Sequence, residues 1–389
     1  MIGQVDFETK LIREGRAVLV VPSMSGSAPP SHLPVFFNPR SKISRDLAVS
    51  VTAAFFSGAR DLRVIEPLTG LGARVIRLLL EAGVFGVGFA SDRNEQAIRL
   101  ASMNRELNGL TERLVLRRAN ANLAMMEAVS KGERFDYVDI DPSGSHITYI
   151  ESGILATKKG GILGVSATDL SALSGVSPTT SEWRYGVQLH RTYVLREVAL
   201  RTMVCSVIRS AAKLGIAASP ILTVHLNHFV RTFVRIEGGI TKALDLLRRL
   251  GYLSVCPACH EVSTANQLRE VIGRCVHCGS EVKPIGPIFL GRLSSPEFCE
   301  KLGRTIESGM YRETARLIYR VANELQDIPY YYPLSLIARL SKRSTPSPLK
   351  VVQALRDAGH VASLTHLDPT GVKTNATLRE VRDLVAGLH

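Results

Sequence analysis

The chain has 389 residues, 45% hydrophobic and 21% charged, which excludes an intrinsically disordered protein and leaves room for two or three domains with their own cores. Its net charge of +13 points to an anionic partner, nucleic acid being the usual one. Met1 to Lys10 carries Asp6 and Glu8 and has no apolar run, and windows such as Val75 to Leu80 and Val84 to Ala90 are broken well before ~18 residues. Neither a secretory signal nor a membrane span is expected.

Residues 1 to about 40 read as short strands and turns. Ala17 to Val21 is β-branched, and Pro22 to Pro34 is rich in Ser, Gly and Pro and reads as a surface loop. In Val35-Phe-Phe-Asn-Pro-Arg40, Pro39 holds Asn38 extended and leaves Arg40 placed to reach an anion. A helix is predicted over Ser44 to Ser57, with Arg45-Asp46 in its first turn.

From Leu62 the pattern alternates between strand and helix. Leu62 to Glu66 is a strand, Pro67-Leu-Thr-Gly-Leu-Gly-Ala-Arg74 a turn, and Ala73 to Glu81 a helix stopped by Gly83. Strands at Val84 to Ala90, Leu114 to Arg117, Phe135 to Ile140 and Gly161 to Ser166, with a helix at Asn94 to Asn108, imply a parallel, doubly wound α/β sheet. The fourth strand ends at Asp141-Pro142, since proline cannot donate to a ladder. It leaves a carboxylate where open α/β sheets place their ligands. The first turn reads Gly70-x-Gly72, with Val75 in place of the third glycine of a dinucleotide fingerprint. With Glu66 before it and Asp92 ending the next strand, this fits S-adenosylmethionine. That cofactor needs bare backbone for its methionine portion and a carboxylate for its ribose hydroxyls, the role suited to Asp92.

Trp183 to Leu214 is the longest helical pattern. Ile221 to Val224 and Phe229 to Ile236 read as a strand pair closing the sheet, and Gly238-Gly239 marks a domain boundary. Cys256-Pro-Ala-Cys259, fifteen residues, then Cys275-Val-His-Cys278 gives two Cys-x-x-Cys knuckles. Four thiolates fill a tetrahedral Zn²⁺ with no open position, so the site reads as structural and suits a reducing cytoplasm. A redox Cys-x-x-Cys is the competing reading. Helices follow at Ser295 to Ser308 and Tyr311 to Leu325. Then Leu334 to Ser341, Leu349 to Ala358 and Val361 to Asn375 read helix, helix, β-ribbon. That order is winged-helix-like, with Lys342, Arg343, Lys350, Arg356 and Lys373 available for phosphates.

Taken in order, several motifs resemble one family. They are Val35 to Arg40 with Arg45-Asp46, Glu66 to Arg77, Ser91-Asp92, Asn120-Ala-Asn122, Asp139 to Gly144, Ser166 to Leu170, Arg184 to Arg191 and Ser363 to Lys373. The chain resembles the tRNA guanine-26 N2-dimethyltransferases in their shorter, archaeal-like form, from about residue 10 to residue 380. The resemblance implies a Rossmann-like class I methyltransferase domain (1–238) and a C-terminal α+β tRNA-binding domain (239–389) holding a zinc ribbon (254–282) and a winged-helix-like end. It implies that Arg40, Arg74, Asp92, Asn120 and Ala121 contact S-adenosylmethionine and that Asp141 is catalytic. The product would be N2-methyl- and N2,N2-dimethylguanosine, the protein cytoplasmic, with no obligate protein partner.

Two residues depart from the family pattern. Ser143 replaces the phenylalanine of Asp-Pro-Phe-Gly, so another ring, Tyr149 or Phe37, is needed to stack on the base. Asn120 stands where aspartate is expected. The alternatives are a methyltransferase of this fold acting on another RNA position and a non-catalytic zinc-ribbon RNA-binding protein. A dinucleotide-dependent oxidoreductase is disfavoured by Val75.

Overall fold

The computed structural model describes residues 5–23, 33–226, 228–271, 273–306 and 311–388. Most of the Pro22 to Pro34 loop, and the last residues of the Ser295 to Ser308 helix, lie outside them. The chain forms two compact units that interleave in sequence.

The first unit comprises residues 1–166, 233–237 and 300–316. It opens with the antiparallel hairpin β1 (Thr9–Glu14) and β2 (Ala17–Pro22), followed by α1 (Lys42–Phe55). The alternating stretch is β3 (Leu62–Glu66), α2 (Ala73–Glu81), β4 (Phe85–Asp92), α3 (Glu95–Leu107), β5 (Leu114–Arg118), α4 (Ala121–Ser130), β6 (Phe135–Ile140), α5 (Ile147–Ala156) and β7 (Thr157–Ala167). The strands are parallel in the order β5-β4-β3-β6-β7. Every residue of β6 is buried, so the central strand is covered on both faces. Successive strands step outward from β3 to β5, and β6 then starts on the other side of β3. The crevice beyond the carboxyl ends of β3 and β6 is therefore the topological switch point, where such sheets bind ligands.

Arg45-Asp46 turns out to be scaffold. Arg45 donates to both carboxylate oxygens of Glu14 at 2.6 Å, and Asp46 pairs with buried Arg77 at 2.7 Å, tying α1 to the hairpin and to α2. Helices α4 and α5 escape the sequence reading. Leu123 and Met126 of α4 are exposed, which blurs the apolar stripe by which a helix is recognised.

The second unit comprises residues 167–232, 238–299 and 317–389. It holds α6 (Leu170–Leu173), α7 (Pro178–Tyr185), α8 (Leu195–Lys213) and β8 (Ile216–Leu226), with the first residues of β9 (Phe229–Gly238) beside β8. Then come α9 (Ile240–Leu247), β10 (Leu250–Val255), β11 (Val262–Ala265), β12 (Gly273–Arg274), β13 (Glu281–Val282) and β14 (Pro284–Phe289). After α10 (Pro296–Thr305) and α11 (Arg312–Ala322), each of which is divided between the two units, the end is β15 (Tyr332–Pro333), α12 (Leu334–Leu340), α13 (Pro348–Asp357), β16 (Ala362–Leu364), β17 (Gly371–Thr374) and α14 (Leu378–Gly387). The helix-helix-ribbon order is present, and β15 adds a third strand to the ribbon.

The single helix expected over Trp183 to Leu214 is two. Gly186, at φ +63°, ends α7, and the chain then runs as a connecting segment whose Gln188 bridges to Gly286 before α8 begins. Lys373 is also placed differently from the expectation. It is 2% exposed and pairs with Glu197 at 3.0 Å and Glu324 at 2.9 Å, so it is not available for phosphates. Arg356 is likewise engaged, donating to the Ala362 carbonyl at 2.8 and 3.0 Å. Among the described residues no helix is long and apolar enough to cross a membrane.

Candidate active site and metal centre

The switch point is built by three neighbouring elements. Strand β3 ends in buried Glu66; the turn after it carries Gly70 (φ +55°) and Gly72 (φ +83°), left-handed conformations that favour glycine and keep the backbone bare. Arg74 projects from the first turn of α2, and β6 supplies Asp139 and, just past its end, Asp141.

These side chains form one charge cluster. Arg74 is buried and donates to Asp139 at 2.6 Å and to Asp141, and its Nε lies 3.3 Å from Glu66. Tyr137 donates its hydroxyl to Asp139. Glu66 also accepts from the Thr69 hydroxyl at 2.7 Å and the Val75 amide at 3.2 Å. Three carboxyls thus share one guanidinium. Burial pushes the Glu66 carboxyl up to about 7, against the opposing pull of Arg74. Burial disfavours the charge on Arg74, but Asp139, Asp141 and Glu66 outweigh it and hold the guanidinium above its ordinary value. Asp139 is completely buried, whereas the Asp141 side chain is 27% exposed. Asp141 is the member of the cluster that faces outward.

On the other side of β3, Asp92 ends β4. Its carboxylate accepts from the Gly70 and Asn94 amides, both at 2.9 Å, which fixes it beside the glycine turn. Asn120 precedes α4, and its Oδ1 caps that helix through the Asn122 and Leu123 amides at 2.9 and 3.4 Å. Its one acceptor is therefore in use, and what it offers a ligand is its Nδ2 donor. Ala121 is the buried first residue of α4. Arg40 lies in a 3-10 turn at Pro39–Ser41, exposed, with no ion-pair partner among the described residues. The β5-β4-β3-β6 order thus gathers Asn120, Ala121, Asp92, Arg74 and Asp141 along one end of the sheet.

In the second unit the Sγ atoms of Cys256, Cys259, Cys275 and Cys278 all lie within 4.8 Å of one another, with Cys256–Cys278 at 3.5 Å and Cys259–Cys275 at 3.6 Å. Tetrahedral zinc with Zn–S bonds of ~2.3 Å sets S···S edges of ~3.8 Å, so the four thiols fit one Zn²⁺. The closed donor set leaves no position for a substrate. Cys205 and Cys299 are buried elsewhere, and burial pushes each thiol up to about 12.

A family profile for N2,N2-dimethylguanosine tRNA methyltransferase matches residues 15–386. The chain belongs to that family. A tRNA (guanine(26)-N(2))-dimethyltransferase from Methanopyrus kandleri is 34% identical over 376 residues, covering 96% of this chain and 95% of the relative. One from Aquifex aeolicus, named for guanine 26 and guanine 27, is 33% identical, covering 96% and 94%. The structure of Trm1 from Pyrococcus horikoshii in complex with S-adenosyl-L-methionine superposes with a TM-score of 0.83 at 27% identity, covering 96% of this chain and 99% of that one.

Against this N2,N2-dimethylguanosine tRNA methyltransferase background, two expected rings are distinguished. Phe37 is 6% exposed and lies under the Arg45 guanidinium, 5.1 Å from its centroid, so it cannot stack on a base. Its neighbour Phe36 is 53% exposed, and its carbonyl approaches the Gly70 turn. Tyr149 is half-buried in α5. The sequence reading also passed over Asp139 and Tyr137 as functional residues. The signal was available: a carboxylate inside a strand covered on both faces requires a buried partner.

Proposed function

We infer that this chain transfers methyl groups from S-adenosylmethionine to the exocyclic N2 of guanine 26 in tRNA, giving N2-methyl- and then N2,N2-dimethylguanosine. The observation that carries the reading is Asp141, a partly exposed carboxylate held by Arg74 at the switch point beside the bare Gly70–Gly72 turn. The residues present fit the cofactor. Asp92 offers a fixed carboxylate for ribose hydroxyls, Gly70 and Gly72 leave room along the backbone, Asn120 and Ala121 border the neighbouring strand end, and exposed Arg40 suits a carboxylate.

When bound, S-adenosylmethionine supplies a methyl already activated on a sulfonium. The remaining difficulty is the nucleophile, because the guanine N2 lone pair is conjugated with the ring. Asp141 accepts an N2 hydrogen and orients the lone pair, and its negative charge offsets the positive charge that develops on nitrogen. Arg74 holds that carboxylate in place. The guanine must leave its stack to reach the site, and Phe36 is the exposed ring suited to receive it. Small Ser143 and Gly144 leave space for the first methyl during the second transfer.

The division into a methyltransferase part (1–238) and a tRNA-binding part (239–389) remains our proposal, as does a cytoplasmic setting, which suits four thiolates kept for metal. The test is methyl transfer from labelled S-adenosylmethionine to unmodified tRNA transcripts, with nucleosides mapped by mass spectrometry at positions 26 and 27. Dimethylguanosine at 26, lost in Asp141→Ala, is expected. Methylation of another position keeps the chemistry and moves the substrate, whereas tRNA binding without any transfer favours a non-catalytic RNA-binding protein.

A further inference from the structure

The second unit contains a cleft of about 840 Å³ that the methyl-transfer chemistry does not use. Its wall is the connecting segment between α7 and α8, which carries Arg191 and Tyr193. Strand β13 supplies Glu281, the single residue between β13 and β14 is Lys283, and α12 supplies Leu336 and Arg339. The three cations are exposed, with one acidic side chain among them, while Leu336 is buried and Tyr193 half-buried. The Tyr193 hydroxyl donates to the His260 carbonyl at 2.8 Å and its own carbonyl accepts from Tyr331 at 3.2 Å, so this wall is fixed by hydrogen bonds.

We propose that this cleft binds one unpaired nucleotide of the tRNA substrate, with its phosphates on Arg191, Lys283 and Arg339 and its base against Tyr193 and Leu336. The idea rests on the reading of tRNA as substrate and adds where the second unit grips it. Three features carry it. The volume suits a nucleotide and is of the size typical of ligand clefts. Cations around an apolar and aromatic floor are the arrangement by which proteins hold single-stranded nucleic acid. Lys373, one of the winged-helix cations expected to hold phosphate, is enclosed by two glutamates, whereas Arg191, Lys283 and Arg339 keep exposed side chains on this rim. The competing explanation is local. A zinc tetrathiolate carries a net negative charge, and Cys256 lies in the cleft lining, so the cations could serve to balance the metal centre.

The experiment is tRNA binding by the full-length, zinc-loaded protein across a salt series, for wild type and for Arg191→Gln, Lys283→Gln and Arg339→Gln. Zinc content and thermal midpoint are measured on the same samples. Each variant is expected to bind tRNA more weakly, with the log–log salt slope reduced by about 0.7 per lost contact to an unpaired strand. Zinc content should be unchanged and Lys283→Arg should restore binding. Wild-type affinity and slope in all three variants would overturn the proposal, as would weak binding that tracks zinc loss. Failure of the parent reading looks different: wild type itself would then produce no methylated guanosine.

Discussion

The guanidinium of Arg74 is hydrogen-bonded to the carboxylate of Asp141, and through its other nitrogens it reaches Asp139 and Glu66. The outward-facing carboxylate is thus anchored from inside the sheet. Asp141→Asn keeps the shape and removes the charge, and it is expected to lower kcat by ~10²–10⁴-fold with tRNA still bound. Arg74→Gln leaves Asp139 and Glu66 buried without their counter-ion and should cost about 3–5 kcal/mol in urea unfolding. An Arg74→Gln protein as stable as wild type would show that the cluster is not held by this pairing.

Glu66 gives a pH dependence. Its folded value, about 7, lies above its ordinary 4.5, so the native state binds more protons than the unfolded one between those values. Its contribution is fully present below pH 4.5 and is lost as pH rises through about 7. Wild type should therefore lose stability relative to Glu66→Gln across that window, by an amount on the order of 3 kcal/mol. Thermal midpoints of the two proteins from pH 4.5 to 8 measure it, and parallel curves would remove Glu66 as the source.

The metal centre predicts one zinc per chain by elemental analysis. Cys256→Ser or Cys275→Ser should lose it and lower the thermal midpoint, because zinc binding in a small ribbon is folding free energy. Cys205→Ser should keep its zinc. Stoichiometry that persists in Cys256→Ser would place the metal elsewhere.

Lys373 sits between Glu197 and Glu324, and Glu324 also pairs with His366 at 2.6 Å. Burial alone would raise the Glu324 carboxyl, but Lys373 and His366 outweigh it and depress it well below its ordinary 4.5. Its stabilisation is present above pH 4.5 and fades as pH falls below that value. Lys373→Ala should destabilise by about 3–5 kcal/mol at pH 7. The salt slope of tRNA binding should stay unchanged, since Lys373 contacts no phosphate. A reduced slope would return Lys373 to the RNA surface.

Phe36 and Phe37 separate by burial alone. Phe36→Ala should raise the KM for tRNA about 10-fold, within the ~1–3 kcal/mol of a base–aromatic stack, with little change in stability. Phe37→Ala opens a cavity beneath Arg45 and should instead cost about 3–5 kcal/mol of stability. Equal effects on KM would mean that neither ring meets the base.

Much of the first unit was legible along the chain. Leu62–Glu66, Ala73–Glu81 and Phe135–Ile140 have the bounds their apolar runs and stop signals indicate, because strand and helix periods are local properties. The capping box at Thr377 and Glu380 marks the start of α14, and its Thr-x-x-Glu spacing is a local signal of the same kind. Helix α4 was not legible, since its outward face carries Leu123 and Met126. The break at Gly186 was masked by continuous helical spacing, and only the Gln188–Gly286 bridge shows where the chain leaves the helix.

The sequence by itself determined the residue types and spacings of the site: the two glycines, the carboxylate after β6, the four cysteines and the ordered motifs of the family. Tertiary structure decided the partners. Arg74 faces three carboxyls, Phe37 lies under Arg45, Lys373 is enclosed by two glutamates, and Asn120 spends its acceptor on a helix cap. The physical reason is that charge pairing and burial depend on which distant segments meet, and residues 65 or 176 positions apart leave no local trace of the contact.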